Sequence, residues 1–175
     1  GALFLALRGE SCDGHRFVEQ AIAAGAIAVI VDRPLDAKVP QILVDDTLLA
    51  YQFLGRWWRD QFSIPVIAVT GSVGKTTTKE LISAALQTAG PVLKTEANFN
   101  NEIGVPKTLL NLNPDHAFAV IEMGMRGPGE IATLTQIARP DIAIITNVGT
   151  AHIGRLGSRE AIAQAKCELL AEMPT

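Results

Sequence analysis

The sequence predicts an α/β fold, in which a doubly wound parallel sheet is preceded by part of a smaller α/β domain. Strand-like and helix-like segments alternate along most of the chain. Apolar residues make up 48% of the sequence and aromatic residues only 5%, so the buried strands must consist mainly of Val, Ile, Leu and Ala. Such alternation and such strands are typical of a parallel sheet that is covered by helices on both faces.

The first 62 residues predict the smaller domain. Its expected strands are Leu3–Leu7, Ile27–Val31 and Ile42–Val44, and its expected helices are His15–Ala24 and a segment from Asp45 or Asp46 to about Asp60. In the second helix Leu49, Phe53, Leu54 and Trp57 recur at helical spacing and predict its apolar face. The polar break at Gln61–Pro65 indicates the boundary between domains 1–62 and 63–175.

The second domain shows the more regular alternation. Its expected strands are Val66–Thr70, Val92–Thr95, Ala117–Glu122 and Ile142–Thr146. Its expected helices are Thr76–Ala89, Pro106–Leu112, Gly129–Ala138 and Ser158–Met173. Pro106 suits a first helical turn, and Ser158 suits an N-cap. Neither end of the chain has a polar tail, so we expect a fragment that lacks a C-terminal domain.

Composition excludes two classes of partner. The net charge is −3 without a cluster of Lys and Arg, which argues against nucleic acid. No apolar run approaches the roughly 18–20 residues of a membrane span. Cys12 and Cys167 show neither metal nor redox spacing, so we expect a cytoplasmic protein.

A glycine-rich turn gives the strongest local signal. The strand Val66–Thr70 leads into Gly71-Ser72-Val73-Gly74-Lys75-Thr76-Thr77. Backbone N–H groups at such a turn bind phosphate, Lys75 would reach the β- and γ-phosphates, and the Thr76 hydroxyl would bind Mg²⁺. Val69 stands where the strict P-loop spacing requires Gly, so the alternative is an ordinary turn between strand and helix.

Polar residues at the expected strand ends extend this hypothesis. Glu122 ends an apolar strand where a phosphate-bound Mg²⁺ would lie, although a solvated carboxylate is the alternative. Asn147 ends the next strand and His152 follows it, but a lone histidine is more often structural. The loop 98–106 contains Asn98, Asn100 and Asn101, which would bind phosphate or a carboxylate or would simply form a turn.

The remaining titratable residues favour simpler interpretations. We assign His116 to the surface, and His15 is as compatible with a helix start as with a ligand site. Lys166 has Ile162 and Leu170 one turn to either side. On its residues alone this stripe favours a lysine that snorkels to solvent.

Together these motifs resemble the Mur ligase family. The resemblance rests on residues 70–77, 98–106, Glu122-Met123-Gly124, Thr146-Asn147-Val148-Gly149, Ala151-His152 and Ala165-Lys166. Gly1–Phe17, with Asp13-Gly14-His15, is similar to the family's domain that binds a uridine nucleotide. The resemblance implies a monomeric ATP-dependent ligase that joins D-alanyl-D-alanine to a UDP-linked muramoyl tripeptide through an acyl phosphate, an activity that a fragment would lack.

The resemblance also implies roles for residues. Thr76 and Glu122 would hold Mg²⁺, whereas His152 and a carbamylated Lys166 would serve a second Mg²⁺; Asn101 and Asn147 would belong to the nucleotide site. Cys167 stands where the family pattern has Gly. The alternatives are the sister ligase that adds the third peptide residue, a folylpolyglutamate-type ligase, or a P-loop nucleotide-binding module without turnover.

Overall fold

The computed structural model describes residues 1–9 and 12–174. Glu10 and Ser11, within the predicted first domain, and Thr175, at the end of the predicted second domain, lie outside the described residues. Two compact units are present, Gly1–Phe53 and Leu54–Thr175. The division falls inside a helix, whereas the sequence places a boundary after it, so the assignment of domains 1–62 and 63–175 stays a prediction.

The first unit contains a parallel three-stranded sheet in the order β1-β2-β3. Its strands are β1 (Ala2–Leu5), β2 (Ala26–Val31) and β3 (Gln41–Leu43). The expected helix at His15–Ala24 is divided into a 3₁₀ turn, Gly14–Phe17, and helix α1, Val18–Ala23. Ala6, Val18, Val29 and Val31 form a small buried core.

Helix α2 spans Thr47–Arg59, and its expected acidic cap is present. The Asp46 carboxylate accepts a hydrogen bond from the Leu49 N–H at 2.9 Å. The expected apolar face is wrong at three of its four residues, because Leu49, Phe53 and Trp57 are exposed, whereas Leu54 is half-buried. Arg59, which was not expected on the buried side, is buried. The Arg59 guanidinium donates to the Phe62 carbonyl at 2.7 Å and to other carbonyls, which makes its burial tolerable.

The second unit contains a four-stranded parallel sheet in the order β5-β6-β4-β7. Its strands are β4 (Val66–Thr70), β5 (Val92–Lys94), β6 (Phe118–Glu122) and β7 (Ile142–Ile145). Its helices are α3 (Lys75–Leu86), α4 (Gly104–Leu109), α5 (Glu130–Ala138), α6 (Ile153–Leu156) and α7 (Arg159–Ala171). Strand β4 matches its expected range, whereas α6, at four residues, is too short to show a helical period.

Both faces of this sheet are covered, as expected for a doubly wound fold. Val66 and Ala68 of β4 belong to the core that α4, α5 and α7 share, whereas Ile67 and Val69 pack with Ile82 and Leu86 of α3. The alternation follows from the period of two in a strand. The sequence therefore predicted the fold class correctly. Separately, no helix in the described residues is both long and apolar enough to span a membrane.

The order of the strands decides where the polar loops meet. Strand β4 lies between β6 and β7, and all three run in the same direction. Their carboxyl ends therefore lie at one edge of the sheet, which is the usual ligand edge of an open α/β sheet.

Candidate functional site

The turn between β4 and α3 requires glycine at two positions. Gly71 has φ 150°, and a Cβ atom there would lie 1.9 Å from the Thr146 Oγ1 atom. Gly74 has φ 80° and immediately precedes α3. The first N–H groups of a helix have no partner within the helix, so this turn presents donors suited to an anion.

Asn147 fastens this turn to the end of β7. Its carbonyl accepts from the Ser72 N–H at 3.1 Å, and its side-chain Oδ1 accepts from the Val73 N–H at 3.2 Å. Its Nδ2 group donates to the Val73 carbonyl at 3.1 Å. Asn147 therefore stabilises the conformation of the loop through these three hydrogen bonds. Its expected contact with a nucleotide stays a prediction.

A buried carboxylate lies beside the start of α3. Glu122, at the end of β6, is 2% exposed. Its Oε2 atom accepts from the Thr76 hydroxyl at 2.9 Å, and its Oε1 atom accepts from the Asn100 amide at 2.8 Å. Gly124 permits this approach, because a Cβ atom there would lie 2.8 Å from the Asn100 side chain.

A cavity of about 400 Å³ opens beside Asn100 and is lined by seven residues that the sequence named as candidates for a site. These residues are Gly71, Lys75, Asn98, Asn100, Asn101, His152 and Lys166. The other lining residues are Glu102, Gly124, Met125, Arg126, Glu130, Thr133 and Leu134. The lining does not include Ser72, Val73, Gly74, Thr76, Thr77, Glu122 or Asn147.

Three predicted residues around the cavity differ in their local roles. The Lys75 ammonium donates to the Gly71 carbonyl at 2.9 Å. Asn101 caps α4, because its Oδ1 atom accepts from the Gly104 N–H at 2.9 Å. His152 is exposed and has φ 66° at the start of α6, which turns the chain after β7.

Lys166 is buried at the wall of the cavity with 2% of its surface exposed. Its buried neighbours along α7 are Ile162, Ala165 and Leu169. The expected stripe was therefore wrong at Leu170, which is exposed, because helical spacing alone does not separate adjacent leucines. Burial, together with the positive charge of Lys75, lowers the pKa of Lys166 to about 8.

The other histidines lie elsewhere. His15 is buried, its Nδ1 atom lies 2.6 Å from the Asp13 carboxylate, and its Nε2 atom accepts from the Asp32 N–H at 3.2 Å. Hydrogen bonds from Arg33 and His15 lower the pKa of Asp13. His116 is half-buried, and its Nδ1 atom accepts from the Asn113 N–H, so its expected surface position is only partly met.

Sequence reasoning missed Lys79 and Thr95 and did not single out Asn100. Lys79 is buried against Glu122 and Thr95, although the run Thr76-Thr77-Thr78-Lys79-Glu80 resembles an exposed helix start. Asn100 differs from Asn101 only in the conformation of their loop.

The donors around Glu122 fit magnesium rather than a softer metal. In the described part of the chain no three His, Cys, Asp or Glu residues cluster closely enough to hold a metal ion. Magnesium is commonly bound through one or two carboxylates together with phosphate oxygens and water. One carboxylate beside one hydroxyl, at the start of a phosphate-type loop, fits that pattern.

Two family models match the chain. The Mur ligase middle domain matches residues 69–175, and the Mur ligase family catalytic domain matches residues 1–96. The UDP-N-acetylmuramoyl-tripeptide--D-alanyl-D-alanine ligase of Synechocystis sp. is 66% identical over 177 residues, which cover 99% of this chain and 39% of that protein.

Solved structures agree with this match. The crystal structure of MurF from Acinetobacter baumannii has a TM-score of 0.97 at 46% identity, covering 99% of this chain and 39% of that one. The MurF ligase from Thermotoga maritima in complex with ADP has a TM-score of 0.93 at 39% identity, covering 99% of this chain and 40% of that one. The chain thus spans about two fifths of the length of these relatives.

Proposed function

The chain belongs to the Mur ligase family, and from this premise we propose that it serves ATP-dependent amide ligation in the synthesis of a cell-wall precursor. The proposed acyl substrate is a UDP-linked muramoyl tripeptide, and the proposed amine is D-alanyl-D-alanine, as in the name of the Synechocystis relative. We further propose a cytoplasmic, monomeric protein.

The pairing of the Thr76 hydroxyl with the Glu122 carboxylate at the phosphate-type loop carries this proposal. Residues 71–77 would bind the phosphates through the N–H groups at the start of α3 and through the Lys75 ammonium. The complex of the Thermotoga relative with ADP supports an adenine nucleotide as a ligand of this chain. Magnesium held by Thr76 and Glu122 would neutralise charge on the phosphates.

In the proposed reaction the terminal carboxylate of the tripeptide attacks the γ-phosphorus of ATP and forms an acyl phosphate, with ADP as the leaving group. The amine of D-alanyl-D-alanine then attacks the acyl carbon, and phosphate leaves with formation of the amide. The role of Lys75 is to donate hydrogen bonds to the transferring group, where its charge stabilises the negative oxygens.

Lys166 supports a ligase over a nucleotide-binding module without turnover. A pKa of about 8 leaves on the order of a tenth of the Lys166 amine neutral at pH 7, a far larger fraction than in an ordinary lysine. A neutral amine can add CO₂ and lose a proton to give an anionic carbamate. Lys166 and His152 line the same cavity, so this carbamate and His152 would together hold a second magnesium ion in the proposed enzyme.

Calorimetric titration with ADP and magnesium tests the nucleotide site. Lys75→Ala removes a charge-assisted contact and is expected to weaken binding by about 2 kcal/mol. Lys38→Ala, which removes the same charge at an exposed position in the other unit, should bind as the unmodified chain does. Equal affinities in the two variants would contradict the assignment of Lys75.

Ligation assays test Lys166, and they require a protein that contains this chain and matches the relatives in length. We propose that residues 1–175 alone bind nucleotide without completing ligation, because they span about two fifths of those relatives. Lys166→Ala should abolish most ligation, with partial rescue by short-chain carboxylates that fill the gap. Lys166→Arg should resist rescue, because its guanidinium occupies that space. Ligation near the unmodified rate in Lys166→Ala would refute the carbamate.

A further inference from the structure

Lys79 is a fully buried cation that the proposed chemistry does not use. It lies on α3, three residues after Thr76, and 1% of its surface is exposed. Its ammonium donates to the Thr95 carbonyl at 2.7 Å and lies 3.2 Å from a carboxylate oxygen of Glu80. It also lies 4.0 Å from the Glu122 Oε2 atom. A lysine is rarely buried this completely unless its charge has a partner.

Lys79, Thr95 and Glu122 form a closed set of contacts across three elements. The Thr95 carbonyl, just after β5, accepts from Lys79, while the Thr95 hydroxyl oxygen accepts from the Glu122 N–H at 2.9 Å. The carboxylate of Glu122 lies near Lys79 and closes the set. Both the backbone and the side chain of Glu122 are therefore linked to Lys79.

We propose that Lys79 is a positioning residue, which holds the Glu122 carboxylate in place and compensates its charge from the buried side. The inference rests on the proposed function of Glu122 as a magnesium ligand. The Thr76 hydroxyl and the Asn100 amide contact the same carboxylate but carry no charge. Within the described residues, Lys79 supplies the cation found within 4.0 Å of Glu122.

Loss of the Lys79 charge should therefore weaken the binding of magnesium more than it weakens the binding of the nucleotide itself. Lys79→Met keeps the length of the side chain and removes its charge and its donors. Changes to groups that orient metal ligands typically lower metal affinity by about 10- to 100-fold. A lysine that only satisfies the Thr95 carbonyl would not produce a selective loss of magnesium dependence.

Calorimetry with ADP, in the presence and absence of Mg²⁺, measures this dependence on the full chain. We expect Mg²⁺ to strengthen ADP binding in the unmodified protein, and Lys79→Met to reduce that enhancement at least about tenfold. Lys94→Met removes the same charge from a lysine that contacts Glu80, and Ser83→Ala alters the next turn of the same buried face. Both controls should keep the enhancement, and its retention in Lys79→Met would overturn the inference. Absence of any enhancement in the unmodified chain would instead overturn the proposed function.

A thermal unfolding cycle tests the pair without nucleotide. The shift in melting temperature caused by Lys79→Met should shrink by half or more in a Glu122→Gln background, where the buried charge has already been removed. Equal shifts in both backgrounds would overturn the inference. If Lys79→Met alone does not fold, recovery of a folded chain in Lys79→Met/Glu122→Gln supports it, and failure to recover contradicts it.

Discussion

Replacing Lys166 with methionine should change how the stability of the larger unit depends on pH. Lys166 has an ordinary pKa of 10.5 when unfolded and about 8 when folded, because burial and Lys75 disfavour its charge. The folded protein therefore binds fewer protons than the unfolded chain between these values, and its stability rises with pH. Relative to acidic pH, the protein is more stable above pH 10.5, where Lys166 is neutral in both states. This stability is lost as the pH falls through 8, because the buried amine must then carry a charge.

The difference between the two pKa values sets the size of the effect. It corresponds to an upper limit of about 3.5 kcal/mol, at about 1.4 kcal/mol for each pH unit, and about 2.5 kcal/mol of this falls between pH 7 and 10. The amine adjoins an open cavity, so solvent screening lowers the expected change over that pH range to about 1–2 kcal/mol. Lys166→Met carries no such charge and should be more stable than the unmodified chain at pH 7, with a smaller advantage at pH 10.

Urea unfolding followed by tryptophan fluorescence measures this change. Both tryptophans, Trp57 and Trp58, belong to the larger unit and report on it. The difference in unfolding free energy between Lys166→Met and the unmodified chain is compared at pH 7 and 10, because other titrating groups cancel in that difference. Arg155→Met, at an exposed cation in the same unit, should give a constant difference. A difference that is also constant for Lys166→Met would refute the argument.

Two further changes test the loop and the helix ends. Gly71→Ala should lower ADP affinity at least about tenfold, because its Cβ atom would clash with the Thr146 Oγ1 atom at 1.9 Å. Gly154→Ala should bind ADP normally in the same titration, because its added Cβ atom would meet no residue beyond its own helix and chain neighbours within 4 Å. Glu168→Ala should destabilise the larger unit by about 1–2 kcal/mol in urea unfolding, because the Glu168 carboxylate accepts from the N–H groups of Gly129 and Ala132 at the start of α5. The exposed Leu170→Ala on the same helix is expected to change stability by under about 0.5 kcal/mol, and similar losses in both would count against this capping role.

The larger unit was predictable because its signals are local. Strand β4 is an uninterrupted apolar run before a glycine turn, and Gly71 and Gly74 have the positive φ values that the turn requires. Ser158 accepts from the Ala161 N–H, as its position before α7 predicted. The parallel direction of the strands follows from their alternation with helices, and so does the meeting of Glu122 with the turn at one edge.

The tertiary structure alone decided which side chains face the buried side of that edge. Asn100 and Asn101 are adjacent and chemically identical, and the fold of their loop directs one to Glu122 and the other to the start of α4. Lys79 has the sequence surroundings of an exposed helix residue, yet the crossing of α3 over β5 and β6 buries it. Helical spacing likewise identified a stripe in α2 without showing that it is exposed. Local sequence determines the period and the ends of an element, whereas the side that becomes buried depends on partners distant in the sequence.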